Sequence, residues 1–280
     1  MFIQTHIIKK HTTNTNQMKK AILIAILLLP FTLTMCNSLS NKKNDWSRDN
    51  LIGEVKSIKQ TSFEAISKFG EIEKGLIIEV DIMQEDGNKE ILYNQLGKKI
   101  KEVYPETYTA LSAKCIYKYD NRGKKIEKSY YDDNKDIASL VYHFKYDKKG
   151  NNIEENQYNE DGSILKKISY KYNYKGNKIE ANHFTDGTNV EKYYYKYNLK
   201  GYKVEETYYS PDGEHLFYKL LYKYDKKGNK IELAAYDSNN DLYFIMSYEY
   251  SYDEKGNWIN RISYDNNMPD AITEREIKYF

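Results

Sequence analysis

Cysteine and long aliphatic side chains are scarce in this sequence. Cys36 and Cys115 are the only two cysteines, and two cysteines do not make a disulfide framework. Leu, Val and Phe are thinly spread while 30 residues are Tyr, which argues against a thick aliphatic core. Tyr is apolar along its ring and polar at its hydroxyl. The composition therefore favours a thin sheet whose side chains keep a hydroxyl within reach of water.

An excess of positive charge is missing once the amino terminus is set aside. The formal net charge is +2, but residues 1–35 hold four Lys and no Asp or Glu. Without that segment the net charge is −2. Because nucleic-acid binding requires a basic face, we expect no nucleic-acid partner.

The amino terminus has the layout of an export signal. Met18-Lys19-Lys20 precedes an apolar run over residues 21–34. This run is too short to span a bilayer comfortably and matches the apolar region of a secretory signal. The polar residues 1–17 have no place ahead of such a signal, so Met18 is the expected start of translation.

A lipid attachment site follows the apolar run. Leu33-Thr34-Met35-Cys36 resembles a bacterial lipobox, with Met35 where that motif has a small residue. The resemblance implies that Cys36 carries a lipid and anchors the protein in a membrane, and Cys115 is then expected to be a small buried residue. The alternative is that Cys36 ends an ordinary signal or an uncleaved anchor. The expected location is the outer membrane or the cell surface, with a periplasm-facing anchor as the other possibility.

Four segments are predicted along the chain. They are a signal-peptide region over 1–35, the lipidated cysteine and a flexible polar tether over 36–50, an entry or capping β segment over 51–92, and a repeat region over 93–280.

The repeat region is built on seven glycines with a period of 25–28 residues. The glycines are Gly97, Gly123, Gly150, Gly176, Gly201, Gly228 and Gly256. Each has a Tyr four residues before it, Asp or Asn three residues before it, and a β-branched aliphatic residue three residues after it. The aliphatic residues are Ile100, Ile126, Ile153, Ile179, Val204, Ile231 and Ile259.

The repeat predicts two turns and two strands per period. Asp or Asn opens a turn by accepting hydrogen bonds from the following backbone, and Gly supplies the conformation that other residues resist. A second turn lies half a period later, as in Asp161-Gly162 and Asp212-Gly213. The predicted fold is all-β: tandem antiparallel β-hairpin repeats forming a long, twisted and curled meander sheet, mostly single layer.

Strand register predicts two different faces. We place Tyr117, Tyr119 and Ile126 on one face, with Tyr117 opposite Ile126 and Tyr119 opposite Lys124. The other face then carries Lys and Glu, together with an aromatic residue eight positions after each of the last six glycines. These aromatic residues are Tyr131, Tyr158, Phe184, Tyr209, Tyr236 and Tyr264.

The repeat resembles a known family. Tyr224-Asp225-Lys226-Lys227-Gly228-Asn229 and its counterparts look like the tyrosine-aspartate repeats of RHS and YD-repeat proteins, and the Asn-x-Ile-Glu that follows looks more like short repeat lipoproteins of Bacteroidetes-type bacteria. The resemblance covers residues 93–280. It implies β-strand repeats, a surface or secreted location and, in the large members, shells that enclose toxins.

No catalytic constellation is recognisable, so we expect no enzyme, cofactor or metal. His143, His183 and His215 occupy unrelated positions of the repeat, and the Asp-Gly pairs are explained by turn formation. The leading hypothesis is a surface module that binds glycan or protein through the six aromatic residues from Tyr131 to Tyr264. The alternatives are a structural, spacer or envelope-assembly lipoprotein, and a relative of an RHS-type toxin shell. The oligomeric state is left open.

Overall fold

A computed structural model describes residues 44–78, 87–105, 114–132 and 135–280. The export signal, Cys36 and the first part of the tether lie outside these residues. One short helix, α1 (Asp45–Arg48), precedes seventeen strands. The strands are β1 (Val55–Lys68), β2 (Glu71–Ile77), β3 (Lys89–Tyr93), β4 (Lys99–Val103), β5 (Lys114–Tyr119), β6 (Lys125–Tyr131), β7 (Leu140–Tyr146), β8 (Asn152–Asn159), β9 (Ile164–Tyr172), β10 (Lys178–Thr185), β11 (Thr188–Tyr197), β12 (Lys203–Tyr209), β13 (Leu216–Tyr224), β14 (Lys230–Asp237), β15 (Leu242–Tyr252), β16 (Trp258–Asp265) and β17 (Met268–Tyr279). Among the described residues no helix has the length and apolar character needed to cross a bilayer.

Strand β1 closes the sheet into a barrel. One edge of β1 pairs with β17, and the other pairs with β3 over Ser57–Gln60 and with β2 over Phe63–Lys68. All other strands pair antiparallel with their chain neighbours. Sixteen strands, β1 and β3–β17, therefore form a closed antiparallel barrel.

The predicted open, mostly single-layer meander is thus wrong. An open sheet of this length would leave unpaired N–H and C=O groups along two edges. Pairing of β1 with β17 satisfies both edges at once. The segment predicted as an entry or capping element, 51–92, supplies the strand that joins the two ends of the ring.

Each glycine turn has the hydrogen bonds that its residue types predict. In the β13–β14 turn, Asp225 N donates to Asn229 O at 2.9 Å and Gly228 N donates to Asp225 O at 3.3 Å. The Asp225 carboxylate also accepts from Asn229 N at 2.8 Å. Gly228 has φ +90°, in the region that L side chains disfavour. Asp and Gly therefore fix the turn as the sequence indicates.

A β-bulge follows every glycine turn and changes the predicted faces. Lys223 pairs with Glu232 and Tyr224 with Lys230, which leaves Ile231 without a partner. The other six glycine-turn hairpins have the same irregularity at the β-branched residue. The extra residue moves this side chain to the outer surface, where Ile126 is 42% exposed.

The predicted register of the Gly123 hairpin is therefore wrong. Tyr119 lies opposite Lys125 and Tyr117 lies opposite Lys128. The tyrosines face the barrel interior without Ile126, and Lys125 faces inward with them.

Tyrosine hydroxyls join one hairpin to the next. In four hairpins the tyrosine four before the glycine donates its hydroxyl to the carbonyl of the residue two after the previous glycine: Tyr119 to Lys99 at 2.7 Å, Tyr146 to Lys125 at 2.7 Å, Tyr172 to Asn152 at 2.6 Å and Tyr224 to Lys203 at 2.8 Å. In the Gly256 hairpin, Tyr250 makes the corresponding bond to Lys230 O at 2.6 Å. These carbonyls lie beside the bulge, where the ladder is interrupted. The repeated Tyr therefore satisfies a backbone group that the bulge leaves without a strand partner.

The outer surface carries a ring of ion pairs between directly opposed strand residues, on the face opposite the inward tyrosines. The pairs are Lys118–Glu127 at 2.8 Å, Lys145–Glu154 at 2.6 Å, Lys171–Glu180 at 2.9 Å, Lys196–Glu205 at 2.7 Å and Lys223–Glu232 at 2.7 Å.

The inner face holds the buried clusters, the largest of which is built from β9–β15 around Tyr170, Leu220 and Tyr222. Cys115 is fully buried in a second cluster with Tyr104, Tyr117 and Tyr130.

Residues 44–53 lie across the rim formed by the glycine turns. Asp45 N donates to Gly97 O at 2.8 Å, Asn50 Nδ2 donates to Lys227 O at 3.2 Å, and Ile52 N donates to Asn257 Oδ1 at 2.8 Å. The segment thus bridges the β3–β4, β13–β14 and β15–β16 turns. Residues 44–50, the last seven of the predicted tether, form backbone and amide hydrogen bonds with these turns of the barrel.

Candidate binding surfaces

The six aromatic residues predicted to bind a ligand lie in one row on the outer surface. They stand on alternate strands, β6, β8, β10, β12, β14 and β16, and all six side chains are half-buried. Because neighbouring strands are about 4.8 Å apart, successive aromatic residues are about 10 Å apart around the barrel. The structure therefore brings them into one row, and the curved wall keeps them from stacking on one another.

Lysine lies directly opposite four members of this aromatic row. Lys114 pairs with Tyr131, Lys167 with Phe184, Lys192 with Tyr209 and Lys219 with Tyr236. The Nζ atoms of Lys114 and Lys219 lie 5.2 and 4.8 Å from the ring centroids of Tyr131 and Tyr236. Such contacts are cation–π interactions. The row thus combines flat apolar rings with positive charge.

The remaining contacts of the row are polar or aromatic. The His143 ring lies 5.1 Å from that of Tyr158, and the Tyr194 ring lies 5.6 Å from that of Tyr209 in an edge-on arrangement. The Tyr264 hydroxyl donates to Glu249 at 2.9 Å. Five of the six rings thus contact a side chain on the adjacent strand, and all six keep part of their surface in solvent.

The barrel interior carries buried charge next to tyrosine. Glu206 is fully buried, pairs with Lys203 and accepts a hydrogen bond from the Tyr222 hydroxyl at 3.2 Å. Two repeats earlier, Glu155 accepts from the Tyr170 hydroxyl at 3.2 Å. The same repeat position thus places a carboxylate against a tyrosine hydroxyl in two repeats of the wall, with Ala181 at that position in the repeat between them. Oε1 of Glu206 has no hydrogen-bond partner among the described residues.

Burial alters the proton affinity of the interior lysines. Burial lowers the pKa of Lys178 to about 8, although Glu155 opposes the change. Burial likewise lowers the pKa of Lys125 to about 8, against the attraction of Asp45. Burial raises the pKa of Glu155. The low dielectric of the interior therefore disfavours the charged forms of both kinds of group.

The histidines do not assemble into a catalytic group in the described part of the chain. Buried His183 contacts Glu191 through Nδ1 at 2.6 Å, and Lys166 lies 3.3 Å from the same carboxylate. The hydrogen bond from His183 lowers the pKa of Glu191 to about 2. Asp212, Glu214 and His215 gather in one exposed turn, which is a common arrangement of acidic turn residues without a metal.

Sequence reasoning missed the inward lysines. They stand two residues after their glycines: Lys99, Lys125, Lys178, Lys203 and Lys230. Without the bulge, the alternation of a strand directs these residues outward. Their regular spacing was a usable signal, but only the bulge reveals which side of the wall they face.

Comparison with known proteins identifies a fold and no family. No protein-family profile matches the chain, and no curated protein matches it. Among solved structures, the barrel is similar to a porin-like protein from Bacteroides uniformis, with a TM-score of 0.51 and 11% identity over 80% of this chain and 96% of that one. A porin-like protein from Bacteroides vulgatus follows with a TM-score of 0.38 and 10% identity over 81% of this chain and 99% of that one. The Photorhabdus luminescens Tc holotoxin pore has a TM-score of 0.32 and 14% identity over 67% of this chain and 12% of that one.

The first of these similarities supports the closed antiparallel barrel as the fold of this chain. The other two have TM-scores below 0.5 and carry no argument. The YD-repeat resemblance of residues 93–280 has no support from a family profile.

Proposed function

We propose that the protein is a non-enzymatic lipoprotein of the bacterial cell envelope, anchored through Cys36, whose barrel binds a glycan or a protein on its outer surface. The aromatic row from Tyr131 to Tyr264 is the observation that carries this proposal. It offers half-exposed rings about 10 Å apart, next to lysines that can bond hydroxyl or anionic groups. Sugar rings and protein surfaces both pack on such aromatic residues.

The polarity of the wall supports a barrel that stands in water. A barrel that spans a bilayer has an outward apolar band about 25 Å tall. The wall here carries five Lys–Glu pairs on its outer surface. Placing ten charged side chains against hydrocarbon would be strongly unfavourable. A lipid on Cys36 would then hold the protein at the membrane while the barrel remains outside the bilayer.

Glycan arrays and pull-downs from envelope fractions test the binding surface. Tyr209→Ala and Tyr236→Ala are expected to weaken binding about tenfold or more, because each removes a ring from the centre of the row. Tyr174→Ala is the matched control, since Tyr174 is an exposed tyrosine in a glycine turn. Circular dichroism verifies that all three variants remain folded.

The outcome also separates binding from a spacer function. Loss of binding in the row variants with binding retained in Tyr174→Ala supports the proposal. If neither glycans nor envelope proteins are retained by the unaltered protein, a spacer function is favoured instead. Equal loss in all three variants contradicts the assignment to this row.

The anchor is tested separately. Cys36→Ser is expected to abolish metabolic labelling with palmitate and to release the protein from the membrane fraction. Labelling that is unchanged by this substitution would contradict lipidation at Cys36.

A further inference from the structure

The two rims of the barrel carry opposite charge. The glycine-turn rim consists of the seven turns at residues 94–98, 120–124, 147–151, 173–177, 198–202, 225–229 and 253–257. These turns hold five acidic residues and ten Lys or Arg, namely Lys98, Arg122, Lys124, Lys148, Lys149, Lys175, Lys200, Lys226, Lys227 and Lys255. The far rim includes the described turn residues 132, 135–139, 159–163, 185–188, 210–215, 237–241 and 265–268. They hold ten Asp or Glu, and Lys135 is their one lysine or arginine.

The cationic side chains of the glycine-turn rim are mostly exposed to solvent. Eight of its ten cationic residues are exposed. The four aspartates that open turns are only half-buried. Asp120 shows why, because its carboxylate accepts the backbone N–H groups of Arg122 at 2.9 Å and Lys124 at 2.8 Å. Turn formation therefore draws the carboxylates toward the backbone and leaves the lysines at the tips.

The anchored end of the chain reaches the barrel at this same rim. Asn44 contacts the Gly97 turn, where its Nδ2 donates to Leu96 O at 3.3 Å. Asn44 stands eight positions after Cys36. Even fully extended, eight residues span at most about 29 Å. A lipid on Cys36 would therefore keep the glycine-turn rim near the bilayer.

We propose that the glycine-turn rim docks onto the anionic phospholipid surface of the membrane that holds the anchor. This inference rests on the proposed anchoring at Cys36. Lys and Arg near an anionic leaflet are attracted to its headgroups. The barrel then stands on its basic rim, with the acidic far rim directed away from the membrane.

Exposed apolar residues at the turn tips complement the charge. Leu96, Tyr174 and Leu199 are 75%, 88% and 98% exposed. Their positions among the lysines allow them to enter the headgroup region when the rim docks. The far rim also has exposed apolar residues, such as Ile137 and Leu242. Charge is therefore the property that selects the glycine-turn rim.

Vesicle co-sedimentation tests the docking without the lipid. The protein is the exported chain, residues 36–280 with Cys36→Ser, which retains every described residue. It is mixed with vesicles of phosphatidylglycerol and phosphatidylcholine, or of phosphatidylcholine alone. Binding is expected only to the anionic vesicles and should fall as salt is raised, because the Debye length shortens from about 10 Å at 0.1 M to about 3 Å at 1 M.

Two sets of four substitutions with equal charge change locate the binding surface. Changing Lys148, Lys149, Lys200 and Lys226 to Gln removes four positive charges from the glycine-turn rim and should lower vesicle binding by at least about tenfold. Changing Lys114, Lys167, Lys192 and Lys219 to Gln removes four charges from the aromatic row and should leave vesicle binding nearly unchanged. Circular dichroism confirms that both proteins fold.

The possible results separate the docking from the anchor. Equal loss in the two sets, or no binding to anionic vesicles, would overturn the docking. Binding to a soluble acidic polysaccharide without binding to vesicles would overturn it as well and assign the rim to a glycan. If vesicle binding is retained but Cys36→Ser leaves palmitate labelling unchanged, the lipid anchor is contradicted while the docking of the rim on anionic lipid is still supported.

Discussion

At the scale of single residues, the glycines of the repeat have one conformation and different surroundings. Gly97 and Gly150 both have positive φ, +71° and +92°. A Cβ on Gly97 would lie 2.2 Å from Asn44 Nδ2 and 2.6 Å from Trp46 Cε3, whereas a Cβ on Gly150 would lie 3.7 Å from its nearest neighbour in the Lys124 side chain. The first glycine therefore serves the turn and also the docking of residues 44–53.

Alanine substitution separates these two functions. Both Gly97→Ala and Gly150→Ala should lower the free energy of unfolding by about 1 kcal/mol, because alanine resists positive φ. Gly97→Ala should lower it by a further 1–3 kcal/mol, roughly, since Asn44 and Trp46 must move. Denaturant unfolding followed by Trp fluorescence measures both values. Equal destabilisation would show that the packing of residues 44–53 against Gly97 contributes nothing.

The interior lysines predict a rise in stability at alkaline pH. The folded-state pKa of Lys178 is lowered to about 8, below its ordinary value of about 10.4 in the unfolded chain. Between these values the unfolded state binds more protons, so the free energy of unfolding increases with pH, on the order of 2 kcal/mol from pH 8 to 10. Above pH 10 the trend reverses. Burial raises the pKa of Tyr130 to about 12, so between pH 10 and 12 the folded state binds more protons than the unfolded state and the free energy of unfolding falls with pH.

Lys178→Met tests this assignment. The variant should lose a large part of the increase between pH 8 and 10 while keeping the decline above pH 10. Chemical denaturation at several pH values measures both. An unaltered pH profile would mean that Lys178 remains charged in the folded protein at pH 8–10.

The sequence predicted single residues well where their effect is local. Asp, Asn and Gly act within five residues of the chain, so the turns could be inferred from their spacing. The outward position of Ile126 could not, because a bulge depends on how two strands pair. A β-branched residue reads as a core residue in a regular strand, and nothing in its own type marks it as the extra residue.

At the scale of elements, each hairpin is joined to its neighbours by side chains that the repeat supplies, and residues 44–53 use the same turns. Asn257 donates from Nδ2 to Ile52 O at 2.8 Å and to the Tyr279 hydroxyl at 2.7 Å, and its Oδ1 accepts from Ile52 N. Asn151 stands at the same repeat position and bonds only within its own turn, to Asp147. One repeat position thus holds residues 44–53 in one hairpin and has a purely local function in another.

Replacing these two asparagines tests how residues 44–53 are held. Asn257→Ala should increase hydrogen exchange across residues 44–53, because the Ile52 amide loses its partner at a cost of about 1–3 kcal/mol. Asn151→Ala is the control and should leave exchange in that segment unchanged. Hydrogen exchange measured by mass spectrometry gives both results. Unchanged exchange in Asn257→Ala would show that the other contacts of the segment suffice to hold it.

At the scale of the whole molecule, closure was beyond the reach of sequence patterns. It depends on the sum of twist and bulges over the entire sheet and on the meeting of β1 with β17. Their contacts include Gln60 with Arg275 at 3.0 Å and Ser62 with Thr273 at 3.0 Å. These are ordinary polar residues more than 200 positions apart, and no local feature of the sequence pairs them.

A disulfide between β1 and β17 tests closure directly. Lys59 and Glu276 are opposed and exposed, and opposed strand residues have Cα atoms about 4.5–5.5 Å apart, which suits a disulfide. With Cys36→Ser, the pair Lys59→Cys and Glu276→Cys should cross-link on mild oxidation. The pair Lys59→Cys and Lys196→Cys is the control and should not. Peptide mapping detects the link, and its absence from the first pair would contradict the closed barrel.

The bulge that follows every glycine turn has a consequence for how such barrels can vary in size. Each repeat brings its own turn and bulge, so inserting or deleting one repeat changes the circumference by two strands. Every other hairpin keeps its register. The first and last strands still run antiparallel at the seam, because the strand number stays even. Barrels of this design can therefore widen or narrow through tandem duplication or loss of whole hairpins, without a new closing strand.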